Sequence, residues 1–295
     1  MESAMRVGIL GVGVMGSLLL ERCVQAGHET LFFELAPAAR EKAVKLGGKD
    51  CRTPKDVAAG AECVFLFLPG PAEIQSCLLG EDGVLHGAAP GLVVVDMATS
   101  SPFNTTAMAK AAAEKGVAYL DAPVLGRPIA VGNWCLPVGG DAGALTKVRP
   151  VLELVAGKII PVGESGNGHA VKLLNQMMFG AINAMTAEMM AVATQVGIAP
   201  KLLYETIAAS GAGTVSNLFK ELGPRVVEDK YDNPAFSVTL LCKDIRLAVD
   251  MAAAAGAPPL LGRAIQQLNE LALAQGLGAE DTSCMWRAVK KMWGK

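Results

Sequence analysis

The segment GNGHAVKLLNQMM, residues 166–178, sets Lys172 among Val171, Leu173, Leu174, Met177 and Met178. A lysine is seldom kept in such company without a task. Desolvation disfavours the ammonium form, which brings the side chain toward the range where it can trade a proton with an alcohol. The competing reading is a lysine whose stem packs while its head reaches water or a carboxylate. Asn175 and Gln176 follow at i+3 and i+4, so on a helix they share its face, and their amides can orient the amine or a substrate. His169 stands one turn earlier and could compete as the base, although its position suits a structural residue of the first turn.

A second constellation opens the chain. In GILGVGVMGS, Gly11, Gly13 and Gly16 read as G-x-G-x-x-G between an apolar run, Arg6 to Leu10, and a helical pattern, Met15 to Ala26. Gly11 suits a tight turn, Gly13 lets a pyrophosphate approach the backbone, and Gly16 lets helix and strand pack closely. The helix N-terminus would supply N–H groups and a partial positive charge. The next apolar run, Thr30 to Glu34, ends in a carboxylate that can accept both ribose hydroxyls and would repel a 2′-phosphate. Leu35 follows it rather than an arginine, so the cofactor implied is NAD in preference to NADP; Arg40 is near enough in sequence to keep NADP open.

These residues need scaffolds of two kinds. Up to about residue 163, short runs rich in Val, Ile, Leu and Phe alternate with helical lengths. The runs are Arg6 to Leu10, Thr30 to Glu34, Cys63 to Leu68, Leu92 to Asp96, Ala118 to Val124, Trp134 to Val138 and Lys158 to Val162. Helical lengths between them include Met15 to Ala26, Pro37 to Leu46 and Phe103 to Lys115. That alternation predicts an α/β domain over residues 1–163, a parallel, doubly wound sheet covered by helices. Beyond Gly163 only helical spacing remains, in His169 to Val196, Pro200 to Ala209, Phe236 to Ala255, Pro259 to Gln275 and Asp281 to Trp293. Residues 164–295 are therefore expected to form an all-helical domain whose first helix, about thirty residues if unbroken, spans the border.

Composition narrows the partners. Hydrophobic residues make up 52% of the 295 residues and aromatics only 5%, so Ala, Leu, Val and Met carry the apolar surplus of a helix-rich, well-buried protein. A net charge of −2, with no Lys/Arg cluster longer than a pair, argues against nucleic acid and anionic membrane as partners. The most apolar stretch, Leu173 to Val196, contains Asn175, Gln176, Asn183, Glu188 and Gln195, which would be costly in lipid. The start lacks a basic segment followed by a free-standing apolar one, and a cytoplasmic location is expected. Seven scattered cysteines without a C-x-x-C pair read as reduced thiols, and three dispersed histidines suggest no metal site.

In order along the chain, GVGVMG, FLFLPGP, VVDMATSSP (Val94 to Pro102), YLDAPV (Tyr119 to Val124), GNWCLPVGGD (Gly132 to Asp141), GNGHAVKLLNQ (Gly166 to Gln176) and CKDIRLA (Cys242 to Ala248) together resemble the β-hydroxyacid dehydrogenase family. That family includes 3-hydroxyisobutyrate dehydrogenase and tartronate semialdehyde reductase. The resemblance covers nearly the whole chain and implies a Rossmann-like domain, a helical domain for substrate and oligomerisation, and a homodimer or homotetramer. It further implies NAD(P)-dependent interconversion of a small 3-hydroxy acid and its semialdehyde or keto acid in the interdomain cleft. By the same resemblance, Lys172 is the general acid/base, with Asn175 and Gln176 beside it. Val14, Met15, Leu68, Pro69, Thr99 and Lys243 join the glycines and Glu34 around the cofactor. Val124, Leu125, Gly126 and Arg127, with Lys172 and Gln176, take the substrate. Lys243 and Asp244 match a Lys-Asp pair whose lysine approaches the active site, although a solvated helical ion pair reads equally well.

Two departures bear on specificity. Gln176 stands where the family usually has a second asparagine. After DAPV the chain continues Leu125, Gly126, Arg127, Pro128, where family members commonly have Ser-Gly-Gly to hold the substrate carboxylate. Leu125 offers no side-chain donor; the amides of Gly126 and Arg127 and the guanidinium fork could hold the anion instead. Otherwise Arg127 is a solvated loop charge. The rival functions are an imine reductase or reductive aminase, against which Lys172 counts, and a catalytically silent NAD(H)-binding regulator, motivated by Leu125 and Gln176.

Overall fold

A computed structural model describes residues 4–210, 216–257 and 259–294. The chain divides into two compact units, Met1–Lys172 and Leu173–Lys295. The first is built of strands β1 (Arg6–Leu10), β2 (Glu29–Phe33), β3 (Lys49–Asp50), β4 (Cys63–Leu66), β5 (Val93–Asp96), β6 (Ala118–Asp121), β7 (Trp134–Gly139) and β8 (Ala156–Gly163). Between them run helices α1 (Val14–Gln25), α2 (Pro37–Lys45), α3 (Pro54–Gly60), α4 (Pro71–Leu79), α5 (Val84–Gly87), α6 (Pro102–Ala113) and α7 (Ala142–Glu153). The strands form one sheet in the order β3-β2-β1-β4-β5-β6-β7-β8.

The order steps outward from β1 to β3 on one side and from β4 on the other, which makes the sheet doubly wound. Its centre is apolar on both faces because helices cover both. Val7, Ile9, Phe32, Phe65, Leu120 and Leu136 pack on one side with α1 and α7 residues such as Leu19, Leu20 and Val148. Leu10, Val64, Leu66 and Val94 pack on the other with Ile74, Leu78 and Met108. Each fully buried side chain of this size contributes about 1.5–3 kcal/mol.

The expectation of an all-parallel sheet is corrected at one place: β7 runs antiparallel to β6, and β8 runs parallel to β7. The connection after β6 holds only a 3-10 turn, Pro128–Ala130, too little to carry the chain back for a parallel crossover. Two strands also end earlier than read, and β5 begins one residue later, at Val93. β4 stops at Leu66 and β6 at Asp121, so Phe67, Leu68 and residues 122–124 are loop. The sequence reading missed β3, which is two residues long, and helices α3, α4, α5 and α7. Most of these are too short to show a period; Thr53 caps α3, and Pro54 and Pro71 open α3 and α4.

Helix α8 (Asn167–Gln195) runs unbroken for 29 residues, and the division between the units falls inside it. The second unit continues with α9 (Pro200–Ala209), α10 (Asn217–Glu228), α11 (Val238–Ala254), α12 (Leu260–Ala274) and α13 (Met285–Met292). Pro224 lies inside α10 beside Gly223, which hides that helix from a propensity reading. Gly180 brings α8 and α11 together: a Cβ there would stand 2.8 Å from the Ile245 side chain. Ala187, Met190, Phe219, Val226 and Trp286 form the larger core of this unit, and Leu241, Ile245, Val249 and Ile265 a smaller one. No helix among the described residues is long and apolar enough to cross a membrane. All seven cysteines are free thiols, and burial pushes those of Cys63 and Cys284 up to about 12.

Candidate active site

The three glycines of the first turn have different reasons to be glycine. Gly11 has φ +83°, and a Cβ there would lie 2.4 Å from the Phe67 carbonyl oxygen. A Cβ on Gly16 would lie 2.0 Å from the Gly11 carbonyl oxygen. The fold itself demands both. Gly13 has φ −62°, open to any residue, and a Cβ there would meet nothing within 4 Å. Its bareness leaves room for something outside the protein. Gly13 also caps α1 without a side-chain hydrogen bond, and the first turn carries no acidic residue, so the N–H groups of that end suit an anion. Val14 is 69% exposed at this end of the helix, while Met15 and Leu68 are half-buried and Pro69 exposed.

Glu34 is built into the same turn. One carboxylate oxygen accepts from Val12 N–H at 2.8 Å, and the other accepts from Leu35 and Ala36 N–H, each at 2.8 Å. Arg40 is turned to the protein: its Nη2 donates to the Glu34 carbonyl oxygen at 2.7 Å, and its Nε faces Asp50 at 3.5 Å. An uncapped helix end, a glycine facing open space and a carboxylate fixed beside the turn fit a dinucleotide.

At the carboxyl ends of β5 and β6 the structure gathers polar groups to which the sequence reading gave no role. Asp96 accepts from Ala98 N–H at 3.0 Å and from the Tyr119 hydroxyl at 2.7 Å. Asp121 accepts from the backbone N–H of Gly166 and of His169, both at 2.9 Å. A strand residue thus caps α8, where a negative charge also meets the favourable end of the helix dipole. Burial raises the Asp121 carboxyl above its ordinary value, while His169 and the two N–H donors pull it the other way. Burial, with Asp96 beside it, also pushes the Tyr119 phenol far up. In both motifs the acid closes a short, mostly apolar strand, a pattern that reads equally as the start of a loop.

His169 is fully buried, its Nδ1 2.6 Å from the Thr105 hydroxyl and its Nε2 3.2 Å from the Ala98 carbonyl oxygen. That is the structural first-turn role, and it ties α8 to α6 and to the loop carrying half-buried Thr99. One turn on, Lys172 is half-buried and its Nζ donates to the Val124 carbonyl oxygen at 2.8 Å. Lys172 and Val124 are therefore brought together.

The loop from Val124 to Arg127 is clamped against β7. Leu125 and Cys135 exchange backbone hydrogen bonds of 2.9 and 3.1 Å, so the Leu125 amide is already committed. A Cβ on Gly126 would come within 2.6 Å of the Trp134 ring, and the buried Trp134 indole donates to the Arg127 carbonyl oxygen at 2.9 Å. Gly126 is exposed and Arg127 half-buried.

In the second unit, Gln176 is buried and its amide nitrogen donates to Asp244 at 2.7 Å. Asn175 donates to the Gln176 amide oxygen at 3.2 Å. Lys243 pairs with the other Asp244 oxygen at 2.9 Å, with 23% of the Lys243 side chain and 3% of the Asp244 side chain exposed. This is not the solvated ion pair that the sequence left open.

A doubly wound sheet with a dinucleotide turn, followed by a helical unit, defines a nicotinamide-dependent oxidoreductase built of two parts. Comparison with known proteins makes the class specific. Residues 6–163 match the family model for the NAD binding domain of 6-phosphogluconate dehydrogenase, and residues 166–289 match that for the NAD-binding domain of NADP-dependent 3-hydroxyisobutyrate dehydrogenase. The chain belongs to the β-hydroxyacid dehydrogenase family. It is 30% identical to 2-(hydroxymethyl)glutarate dehydrogenase of Eubacterium barkeri over 100% of this chain and 98% of that one. It is 32% identical to 3-hydroxyisobutyrate dehydrogenase of Pseudomonas aeruginosa, covering 90% and 91%. The crystal structure of 3-hydroxyisobutyrate dehydrogenase from Salmonella typhimurium superimposes with a TM-score of 0.87 at 28% identity, over 96% of this chain and 99% of that one.

The glycine geometry separates fold from ligand. Gly13→Ala is expected to leave thermal stability within a few degrees and to raise the NADH dissociation constant about tenfold or more, roughly 1.4 kcal/mol. Gly16→Ala is expected to destabilise the protein itself, by about 1–3 kcal/mol of overpacking. Thermal melts and fluorescence titration read both, and unchanged NADH affinity in Gly13→Ala would contradict the assignment.

Proposed function

We propose that the protein interconverts a small 3-hydroxy acid and its semialdehyde or keto acid, with Lys172 as general acid/base and NAD preferred over NADP. The observation that carries the reading is the Lys172 ammonium, held 2.8 Å from the Val124 carbonyl oxygen at the start of a helix that Asp121 and His169 lock to the sheet. A carbonyl only accepts, so the amine is the donor, and the contact aims the side chain at the loop that follows β6. In the reductive direction Lys172 gives that proton to the oxygen of the aldehyde as it becomes an alcohol. In the oxidative direction the neutral amine takes the hydroxyl proton. When bound, the nicotinamide supplies or accepts the hydride.

Gly11, Gly13 and Gly16, with the N–H groups of Val14 and Met15, are the proposed seat of the pyrophosphate. Leu68, Pro69 and Thr99 are the proposed neighbours of the nicotinamide half. The NAD preference rests on Glu34, whose carboxylate is fixed by three backbone donors where a 2′-phosphate would have to stand. It rests also on Arg40, which is engaged with the Glu34 backbone and Asp50. For the substrate carboxylate we assign the Gly126 and Arg127 amides and the Arg127 guanidinium, because Leu125 has no side-chain donor and its amide is bound to Cys135. Both relatives named above act, by their names, on 3-hydroxy carboxylates, which supports that substrate class here.

Met185 and Val192 on α8, Val196 just after it and Leu202 on α9 are exposed, and contiguous exposed apolar residues commonly mark an association surface. We therefore propose a homodimer or homotetramer.

Lys172→Ala is expected to lower kcat by about 10²–10⁴-fold while the NADH dissociation constant stays within about twofold. Turnover near that of the unmodified protein would remove Lys172 from the chemistry. Sedimentation velocity at micromolar concentration is expected to show species larger than the 30.5 kDa chain; a single species of that mass would contradict the oligomer.

A further inference from the structure

Asp96 and Asp121 end neighbouring parallel strands and stand in register with each other, which sets the two chains about 4.8 Å apart at that point. Both carboxylates are fully buried. Each of their four oxygens accepts a hydrogen bond: Asp96 takes the Ala98 N–H and the Tyr119 hydroxyl, and Asp121 takes the N–H groups of Gly166 and His169. That is the donor set of two ionised groups. Like charges this close in the interior are costly unless a cation stands with them. Burial pushes the Asp121 carboxyl up, His169 pulls it down, and Asp96 pushes it up again.

The imidazole of His169 is placed to be that cation. It is fully buried, with Nε2 3.9 Å from an Asp96 oxygen. Nε2 also lies 3.2 Å from the Ala98 carbonyl oxygen, which only accepts, so this nitrogen bears a proton. Nδ1 lies 2.6 Å from the Thr105 hydroxyl, and that hydroxyl donates to the Ser101 carbonyl oxygen at 3.0 Å. A threonine has one proton to give. With that proton on Ser101, the Thr105 oxygen is an acceptor, and Nδ1 must be the second donor of the ring. The contact is also shorter than an ordinary N–H···O bond, in the manner of a charge-assisted one. The groups facing the ring are thus Asp96 from β5, Asp121 and, through Asp96, Tyr119 from β6, and Thr105 from α6; Lys172 follows one turn on along α8.

We propose that His169 is an imidazolium shared between Asp96 and Asp121, and that this buried ion cluster, with Thr105 accepting from the ring, holds the first turn of α8 so that Lys172 meets the substrate oxygen. The inference rests on the reading of Lys172 as the general acid/base. Asp96, Thr105 and His169 are positioning residues, acting through the turn that carries Lys172. A neutral ring would need the Thr105 hydroxyl to swing from Ser101 to Nδ1, and would remove the positive charge from between the two carboxylates.

Nitrogen NMR of the imidazole rings in the full-length protein without ligand reads the charge directly, with His169 identified by the signal lost in His169→Gln. At about pH 7.5, a unit above the ordinary imidazole value, both ring nitrogens of His169 are expected to bear protons. Asp96→Asn removes a carboxylate charge and Thr105→Val the hydroxyl acceptor, and each is expected to leave the ring neutral at that pH. Thr105→Ser is expected to keep it charged. In turnover, Thr105→Val is expected to lower kcat about tenfold or more with NADH affinity unchanged, and Thr105→Ser to restore it. A threonine that only packed would change stability and leave the protonation of the ring alone. A neutral His169 in the unmodified protein overturns the proposal, as does a ring still charged in Asp96→Asn, or full kcat in Thr105→Val. The spectrum needs no substrate. Failure of every aldehyde acid to turn over therefore contradicts the reaction, and the imidazolium is then decided by NMR alone.

Discussion

Asp121 closes β6 with a carboxylate that has no access to water, and three glycines are arranged around it. A Cβ on Gly139 would lie 2.6 Å from one of its oxygens, and a Cβ on Gly168 would lie 2.8 Å from the other and 2.4 Å from its backbone oxygen. Gly166, at φ +99°, turns its N–H onto the same group. A buried carboxylate without donors would be untenable. The chain after β8 must therefore come close enough to give its N–H groups, and only glycine lets it. That requirement fixes the first turn of α8 against the sheet. Lys172 inherits its position from there, one turn beyond His169, whose imidazole is held by Thr105 and the Ala98 carbonyl.

The same economy appears at the first turn. Gly11 and Gly16 are forced by the approach of α1 to the strands, and Glu34 stitches the turn to β2 through Val12. Gly13 alone is free of internal cause. The glycines of this turn thus serve two tasks, bringing backbone against backbone and leaving a space empty. The two can be told apart only once the neighbours of each position are known.

Much of this was legible in the residues. β1 was read to its exact ends and α9 likewise, because each is a clean run between punctuating residues. The long α8 and the change of grammar near Gly163 were evident from periodicity. The reversed β7 was not, since a strand's direction depends on the length and content of the loop before it rather than on its own residues. α10 was hidden by Pro224, which the helix accommodates. Within the candidate site, Lys172 and the glycines announced themselves by type and spacing. The buried Asp96, Tyr119 and Asp121 did not, because a polar residue at the end of an apolar strand looks like the start of a loop. Gln176 was noticed as a departure, but its partner Asp244 is 68 residues away, a distance that no local pattern spans.

The central claim is that a lysine held at the end of β6 exchanges a proton with the oxygen of a small carboxylated substrate while a nicotinamide exchanges hydride. The most direct measurement is initial-rate oxidation of NADH and NADPH by methylmalonate semialdehyde, tartronate semialdehyde, succinic semialdehyde, glyoxylate and a sulfonated aldehyde. The account predicts saturable turnover of at least one carboxylated aldehyde, faster with NADH than with NADPH. Tight NADH binding with no turnover of any of them would contradict it.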